Sequence, residues 1–82
     1  MKYRRKPVEI EAIRWTGDNL IEVLAFCPKA HYEHMSQMLV VKTLQGKMYV
    51  DEGDYIIKGL EVEFYPCRPS VFRAMYEEID AE

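Results

Sequence analysis

The sequence lacks the features that identify membrane-spanning, secreted or multidomain proteins. Its 82 residues contain two cysteines, Cys27 and Cys67, and only four glycines and four prolines. No apolar run approaches the roughly 18 residues that cross a bilayer, and residues 1–15 have no apolar signal-peptide core. Two cysteines are too few for a disulfide scaffold, and we expect free thiols. These absences predict one intracellular domain, residues 1–82, without membrane contact.

A large excess of charge of one sign is also missing. Eleven Lys and Arg residues oppose 14 Asp and Glu residues, which gives a formal net charge of −3. General nucleic-acid binders normally carry a strongly basic face, so this class is disfavoured. The charge is nevertheless uneven, because residues 1–7 contain four bases and residues 77–82 contain four acids. The two ends can attract each other, within one chain or between copies.

Half of the residues, 49%, are hydrophobic, which suits a folded domain. A chain of this size buries only about 60–65% of the surface that its unfolded form exposes. The core is therefore expected to be marginal, and a homo-oligomer is expected to help stabilise it.

Apolar spacing predicts two helices. The first runs from Leu20 to Cys27, with Asp18 as its cap and Pro28 as its stop. The second begins at Ser70 and carries an apolar stripe of Phe72, Met75, Tyr76 and Ile79.

Alternating apolar residues predict the strands. One strand is expected over residues 8–15, with a bend near Ala12, and residues 38–66 predict a four-strand antiparallel meander with a first turn at Gln45-Gly46. Residues 29–37 show no clear period. The expected fold is α+β, with a mostly antiparallel four- to five-stranded sheet and both helices packed on one face.

The carboxyl half carries a motif that reads GDYIIKG at residues 53–59 and EFYPC at residues 63–67. It resembles the PGDYG-type motif of a family of small proteins from tailed bacteriophages and prophages. The basic start, residues 12–17 and residues 43–46 are similar to that family as well. Glu52 stands where the family often has proline, and Val62 where it often has glycine. The resemblance implies a phage origin, but it implies no particular chemistry.

Two groups of residues suggest chemistry that we weigh against a structural role. Cys27, His31 and His34 have spacing that zinc ligands can share, with Cys67 as a fourth, yet no second Cys pair supports such a site. Cys67 beside Arg68 is a possible nucleophile, but no partner base or oxyanion loop accompanies it. We therefore expect no metal, no cofactor and no enzymatic activity.

Carboxylates in the turns form a third group. Asp54, Glu61 and Glu63 are able to form an acid–base pair if they lie together. Turn aspartates more often bind their own backbone, and that role is the expected one for Asp54.

A basic and aromatic surface is the remaining candidate. Lys42, Lys47, Tyr49, Ile56 and Lys58 share one sheet face if the meander is regular, and Arg73 is among the arginines that border it. Cations neutralise phosphates and rings stack on bases. The residues predicted to bind a nucleotide-type ligand are Arg4, Arg5, Lys6, Trp15, Lys58, Tyr65 and Arg68.

Three functions follow as alternatives for a small phage protein without catalytic motifs. The first is an anti-defence or host-takeover protein, acting in the cytoplasm of the infected bacterium, that sequesters a nucleotide-type signal at a site between protomers. The second is an inhibitor that binds and blocks a host defence protein. The third is a structural or assembly protein of the virion.

Overall fold

The computed structural model describes residues 1–4, 7–61 and 63–79. Its elements follow the order β1 (Glu11–Arg14), α1 (Leu20–Phe26), β2 (Ala30–Glu33), β3 (Met38–Thr43), β4 (Gly46–Val50), β5 (Tyr55–Lys58), β6 (Phe64–Cys67) and α2 (Pro69–Met75). The predicted α+β class is confirmed.

The strands form two antiparallel three-stranded sheets rather than one. The terminal sheet has the order β1-β5-β6, and the central sheet has the order β2-β3-β4. The predicted meander over residues 38–66 is therefore wrong at one point, between β4 and β5. There β5 pairs with β1, and Ile13 lies opposite Ile56.

The inner faces of the two sheets bury a shared core. Alternation along the strands places Ile56 and Phe64 of the terminal sheet on the same side as Ile13, and Leu39 and Val41 on one side of the central sheet. The buried cluster also contains Trp15 directly after β1, Val23 of α1, Cys27 directly after α1 and Val50 at the end of β4, and Ile13 packs against it as a partly buried residue.

The two helices do not share one face, so that expectation is wrong. Helix α1 contributes Val23 and Cys27 to the core. In α2, the Phe72 ring stacks on Tyr55 with centroids 3.8 Å apart. Tyr55 alternates with the core residue Ile56, so α2 lies on the outer face of the terminal sheet.

Several local expectations are confirmed or corrected. Helix α1 has the predicted extent to within one residue, but Asn19 rather than Asp18 occupies its N-cap position. The unpatterned segment contains β2, and β1 lies within the predicted span of residues 8–15 but is shorter, since it begins at Glu11 and ends at Arg14. The first hairpin is confirmed, although Leu44 and Gln45 form its turn and Gly46 begins β4 with a φ of 109°.

The predicted stripe on the last helix is largely solvent-exposed. Helix α2 begins after Arg68, not at a Ser70 cap, and it has no fully buried residue. Met75 is 48% exposed and Ile79, beyond the helix end, is 63% exposed. Phe72 and Tyr76 are the stripe residues that pack against aromatic rings among the described contacts. Phe72 stacks on Tyr55, and the ring centroid of Tyr76 lies 5.1 Å from that of Phe72.

The burial of Ile56 and the exposure of Met75 predict different losses of stability when each side chain is truncated. Ile56→Ala should lower the free energy of unfolding by about 2–5 kcal/mol, because Ile56 is fully buried between the sheets. Met75→Ala should change it by less than about 0.5 kcal/mol, as is usual at solvated positions. Urea unfolding of both variants measures the difference. Equal losses would mean that Met75 is covered, contrary to this fold.

Candidate functional site

The chain crosses between the two sheets in the turn that follows β4, and Trp15 binds this turn. The Trp15 N–H donates to the Asp54 carbonyl at 2.9 Å, and the Gly53 N–H donates to the Trp15 carbonyl at 2.6 Å. Two residues, Gly53 and Asp54, thus lie opposite Trp15 as a β-bulge with Gly53 at a φ of 97°, and the bulge aligns β5 on β1 as the chain leaves the turn.

Asp54 organises the same turn from within. Its carboxylate accepts the Asp51 N–H at 3.1 Å, and its own N–H donates to the Asp51 carbonyl at 3.0 Å. The structural role predicted for Asp54 is thereby confirmed. Glu61 and Glu63 follow the other end of β5, so the three acids do not come together as a catalytic pair.

A second loop, between β1 and α1, faces this turn. The Asn19 amide donates to the Arg14 carbonyl at 2.8 Å, and its oxygen accepts the Thr16 N–H at 3.0 Å. This closed loop contains Gly17, whose φ is +94°. A Cβ built on Gly17 would lie 2.8 Å from Cδ of Glu52, so the loop and the Glu52 carboxylate are in direct apposition.

A cleft of about 400 Å³ opens where the two loops meet. Tyr32 is its half-buried aromatic residue, and Trp15 contributes the 5% of its surface that is exposed. The other lining residues come from the β1–α1 loop, the start of α1, the turn before β3, the first residue of β3, and the end of β4 with the following turn. They are Gly17, Leu20, Gln37, Met38, Val50, Asp51 and Glu52. We refer to this as the Trp15 cleft.

The charge of the Trp15 cleft is one-sided. Asp51 and Glu52 line it, and no Lys, Arg or His belongs to its described lining. Among residues 1–4, 7–61 and 63–79, the ion pairs are Lys47–Glu33 and Lys58–Glu11, so neither cleft carboxylate has a cationic partner there. The cleft thus combines an apolar and aromatic lining with two carboxylates that form no ion pair among the described residues.

The residues predicted from the sequence to bind a nucleotide do not converge in one protomer. Trp15 lies in the core at 5% exposure, and Lys58 pairs with Glu11 at 3.7 Å. Tyr65 lies on β6 and lines a second cleft together with Glu61 and Glu63. Arg4 and Arg68 are exposed, in the amino-terminal segment and at the start of α2 respectively. The remaining two, Arg5 and Lys6, lie outside the described residues.

The second cleft, of about 540 Å³, is also bordered by acids. Glu61 and Glu63 line it together with Tyr65, Tyr76 and four apolar or small residues, Val8, Ile10, Gly59 and Leu60. Its described lining likewise contains no base. Neither cleft therefore presents the cations that a phosphate needs.

The predicted basic and aromatic face is only partly assembled. Lys42, Lys47 and Tyr49 share the outer face of the central sheet, but Ile56 and Lys58 belong to the other sheet, so that grouping is wrong. The arginine expected at its border, Arg73, lies on α2.

Lys47 on that outer face is already engaged. Its ammonium contacts Glu33 at 3.0 Å, and the Tyr49 hydroxyl donates to the same carboxyl group at 3.3 Å. Hydrogen bonds from Ser36 and Lys47 lower the pKa of Glu33, and the same pairing raises the pKa of Lys47. This group therefore acts as an internal ion pair above the buried Val40.

The cysteines show no sign of activation. Burial raises the pKa of the Cys27 thiol, and burial together with the Asp54 charge raises that of Cys67. An activated nucleophile needs the opposite shift. Within the described parts of the chain, no three His, Cys, Asp or Glu side chains group as metal ligands do. Cys27 is buried in the core, while His31 and His34 are exposed.

Sequence reasoning found Trp15 but missed the other residues of its cleft. Tyr32 lies in the segment that showed no period, and Asp51 and Glu52 were seen only as turn residues. The one available signal was the adjacent pair of acids in a turn that follows an apolar strand. The apposition of Glu52 to Gly17, which lies 35 residues earlier in the chain, arises from the β1–β5 pairing and has no local sequence signature.

Comparisons with protein-family models, curated proteins and solved structures found no match to the chain. No helix among the described residues is long and apolar enough to span a membrane.

The apposition of Gly17 and Glu52 predicts a difference between two glycine variants. Gly17→Ala and Gly46→Ala both place a side chain at positive φ, and each should lower the free energy of unfolding by about 1–2 kcal/mol. Only the first added methyl meets another residue, because nothing lies within 4 Å of the Gly46 position. Glu52 is exposed, so it should swing away rather than add a large cost.

NMR spectra of the two variants measure this displacement. Gly17→Ala should shift the side-chain resonances of Glu52 and the indole N–H of Trp15, whereas Gly46→Ala should leave both in place. Unchanged Glu52 resonances in Gly17→Ala would contradict the geometry of the cleft rim.

Proposed function

We propose that the chain is a small phage-encoded accessory binding protein of the anti-defence or host-takeover type. It acts in the cytoplasm of the infected bacterium by binding and blocking a host protein, and it is not an enzyme. The phage origin rests on the resemblance of residues 53–59 and 63–67 to the PGDYG-type motif. The mode of action rests on the Trp15 cleft.

The observation that carries the proposal is the unpaired charge at the rim of this cleft. A surface that combines aromatic and apolar area with carboxylates, and lacks bases, suits a partner that presents an apolar and cationic patch. Aromatic residues are enriched among those that dominate binding energy in protein interfaces. The cleft is therefore the expected centre of the contact.

Sequestration of a nucleotide-type signal is the alternative that the described residues support less. Phosphates would meet carboxylates in both clefts, and the predicted ligand-binding residues are spread over separate parts of the protomer. This function would need a homo-oligomer in which the basic amino end of one copy completes a site on another. A role in virion assembly is the third possibility, and no feature of either cleft favours it.

Affinity capture from host lysate tests the proposed function, using two double variants matched in charge. The wild-type chain should retain a partner in stoichiometric amount, and Asp51→Asn/Glu52→Gln should lose it. Glu77→Gln/Glu78→Gln makes the same change in net charge on an exposed segment outside the cleft and should retain the partner. The free energy of unfolding of both variants should match that of the wild type.

Two results would contradict the proposal. Equal capture by the wild type and the cleft variant would place the interface elsewhere. Recovery of no partner, together with the chain as a constituent of purified virions, would favour the assembly function instead.

A further inference from the structure

The Trp15 cleft has features that define the chemistry of its occupant. Its volume of about 400 Å³ lies in the lower part of the range, about 300–1,000 Å³, that ligand clefts occupy. It is large enough for one long side chain and small for an extended ligand. The question is which side chain its surface recognises.

We propose that the cleft receives an arginine side chain of the blocked protein, an inference that rests on the proposed function. The guanidinium group would lie against the half-buried ring of Tyr32 and would pair with Asp51 and Glu52. Each part of this recognition corresponds to a feature of the described lining.

The carboxylates select for positive charge. Asp51 directly follows β4 and Glu52 comes next in the turn, so two negative charges border one opening. The described residues provide neither of them with an ion-pair partner, whereas Glu33 and Glu11 elsewhere on the surface do have one. A cation that enters the cleft therefore gains attraction without displacing an internal partner.

The position of these carboxylates is set by the fold. Asp54 accepts the Asp51 N–H, which closes the turn, and the two backbone bonds between Trp15 and the turn hold it beside the aromatic surface. Glu52 lies against the Cα of Gly17, where no side chain competes for the space. The rim is thus arranged before a partner arrives, which reduces the entropy lost on binding.

The aromatic and apolar lining favours arginine over lysine. A guanidinium group is planar and more weakly hydrated than an ammonium group, it stacks on aromatic rings, and it donates two parallel hydrogen bonds to one carboxylate. Its aliphatic stem can contact Leu20 and Met38, the partly exposed apolar residues of the lining. A compact ammonium would use the carboxylates but little of this surface.

A pair of small probes that differ in charge but hardly in shape tests the inference. N-acetyl-arginine amide carries the guanidinium group, and N-acetyl-citrulline amide replaces it with a neutral urea. Trp15 is the single tryptophan of the sequence and belongs to the lining of the cleft, so its one indole N–H resonance is assigned without ambiguity. Titration of the intact chain should show saturable shifts with the arginine probe and binding at least about tenfold weaker with the citrulline probe.

The two double variants provide the matched controls. Asp51→Asn/Glu52→Gln should weaken binding of the arginine probe about tenfold or more, while Glu77→Gln/Glu78→Gln should leave it within about twofold. N-acetyl-lysine amide should bind more weakly than the arginine probe. Spermidine distinguishes a free polyamine from a protein side chain as the source of the cation.

The outcomes separate this inference from the proposed function. Equal binding of the arginine and citrulline probes, absence of binding by both, or tighter binding of the lysine probe or spermidine would overturn the assignment to arginine. If the cleft variant nevertheless loses a host partner in the capture experiment, the blocking function stands with a different contact. If the probe binds as expected but no partner is captured, the cleft chemistry stands and the blocking function fails.

Discussion

The fold depends on the pair of backbone hydrogen bonds between Trp15 and the turn at Gly53 and Asp54. A chain this short has a small core, and it divides that core between two sheets built from interleaved parts of the sequence. The central sheet is local, since its three strands follow one another. The terminal sheet must bring β1 to strands more than 40 residues later. The Trp15 bonds begin that long-range pairing at the point where the chain leaves the central sheet.

The same junction connects folding to the candidate site. The Trp15 side chain contributes to the core while its backbone holds the turn that carries the cleft carboxylates. Phe26 at the end of α1 contacts Phe64 with ring centroids 5.8 Å apart, so α1 is joined to the terminal sheet as well. The same backbone bonds thus connect the aromatic part of the cleft with the turn that carries its acidic rim.

Local patterns in the sequence predicted the local structure well. Helix α1, the first hairpin and strand β5 follow from apolar spacing and from glycine in turns, because these signals act over a few residues. The prediction failed where pairing was decided by competition between distant segments. The sequence predicted that β5 pairs with β4. In the structure, the chain leaves the central sheet at the four-residue turn Asp51–Asp54, and β5 pairs with β1 instead. The position of α2 was also hidden, since the aromatic partner of Phe72 lies on a strand 17 residues earlier.

The candidate site was predictable only in part for the same reason. Trp15 is the single tryptophan of the sequence, and the bases among the predicted site residues favoured a phosphate-containing ligand. The structure instead places Trp15 beside two acids, which changes the chemistry that it can recognise. Tyr32 completes this surface from β2, a strand with no apolar periodicity to reveal it.

Amide hydrogen exchange tests the central claim, that the Trp15 junction is part of the stable core and holds the cleft in place. The Trp15 and Gly53 amides should exchange as slowly as those of Val41 and Ile56, because all four open only with the core. Met35, in the exposed loop between β2 and β3, gives the rate for a solvated segment. Exchange of Trp15 and Gly53 as fast as Met35, with Val41 and Ile56 still protected, would contradict the account.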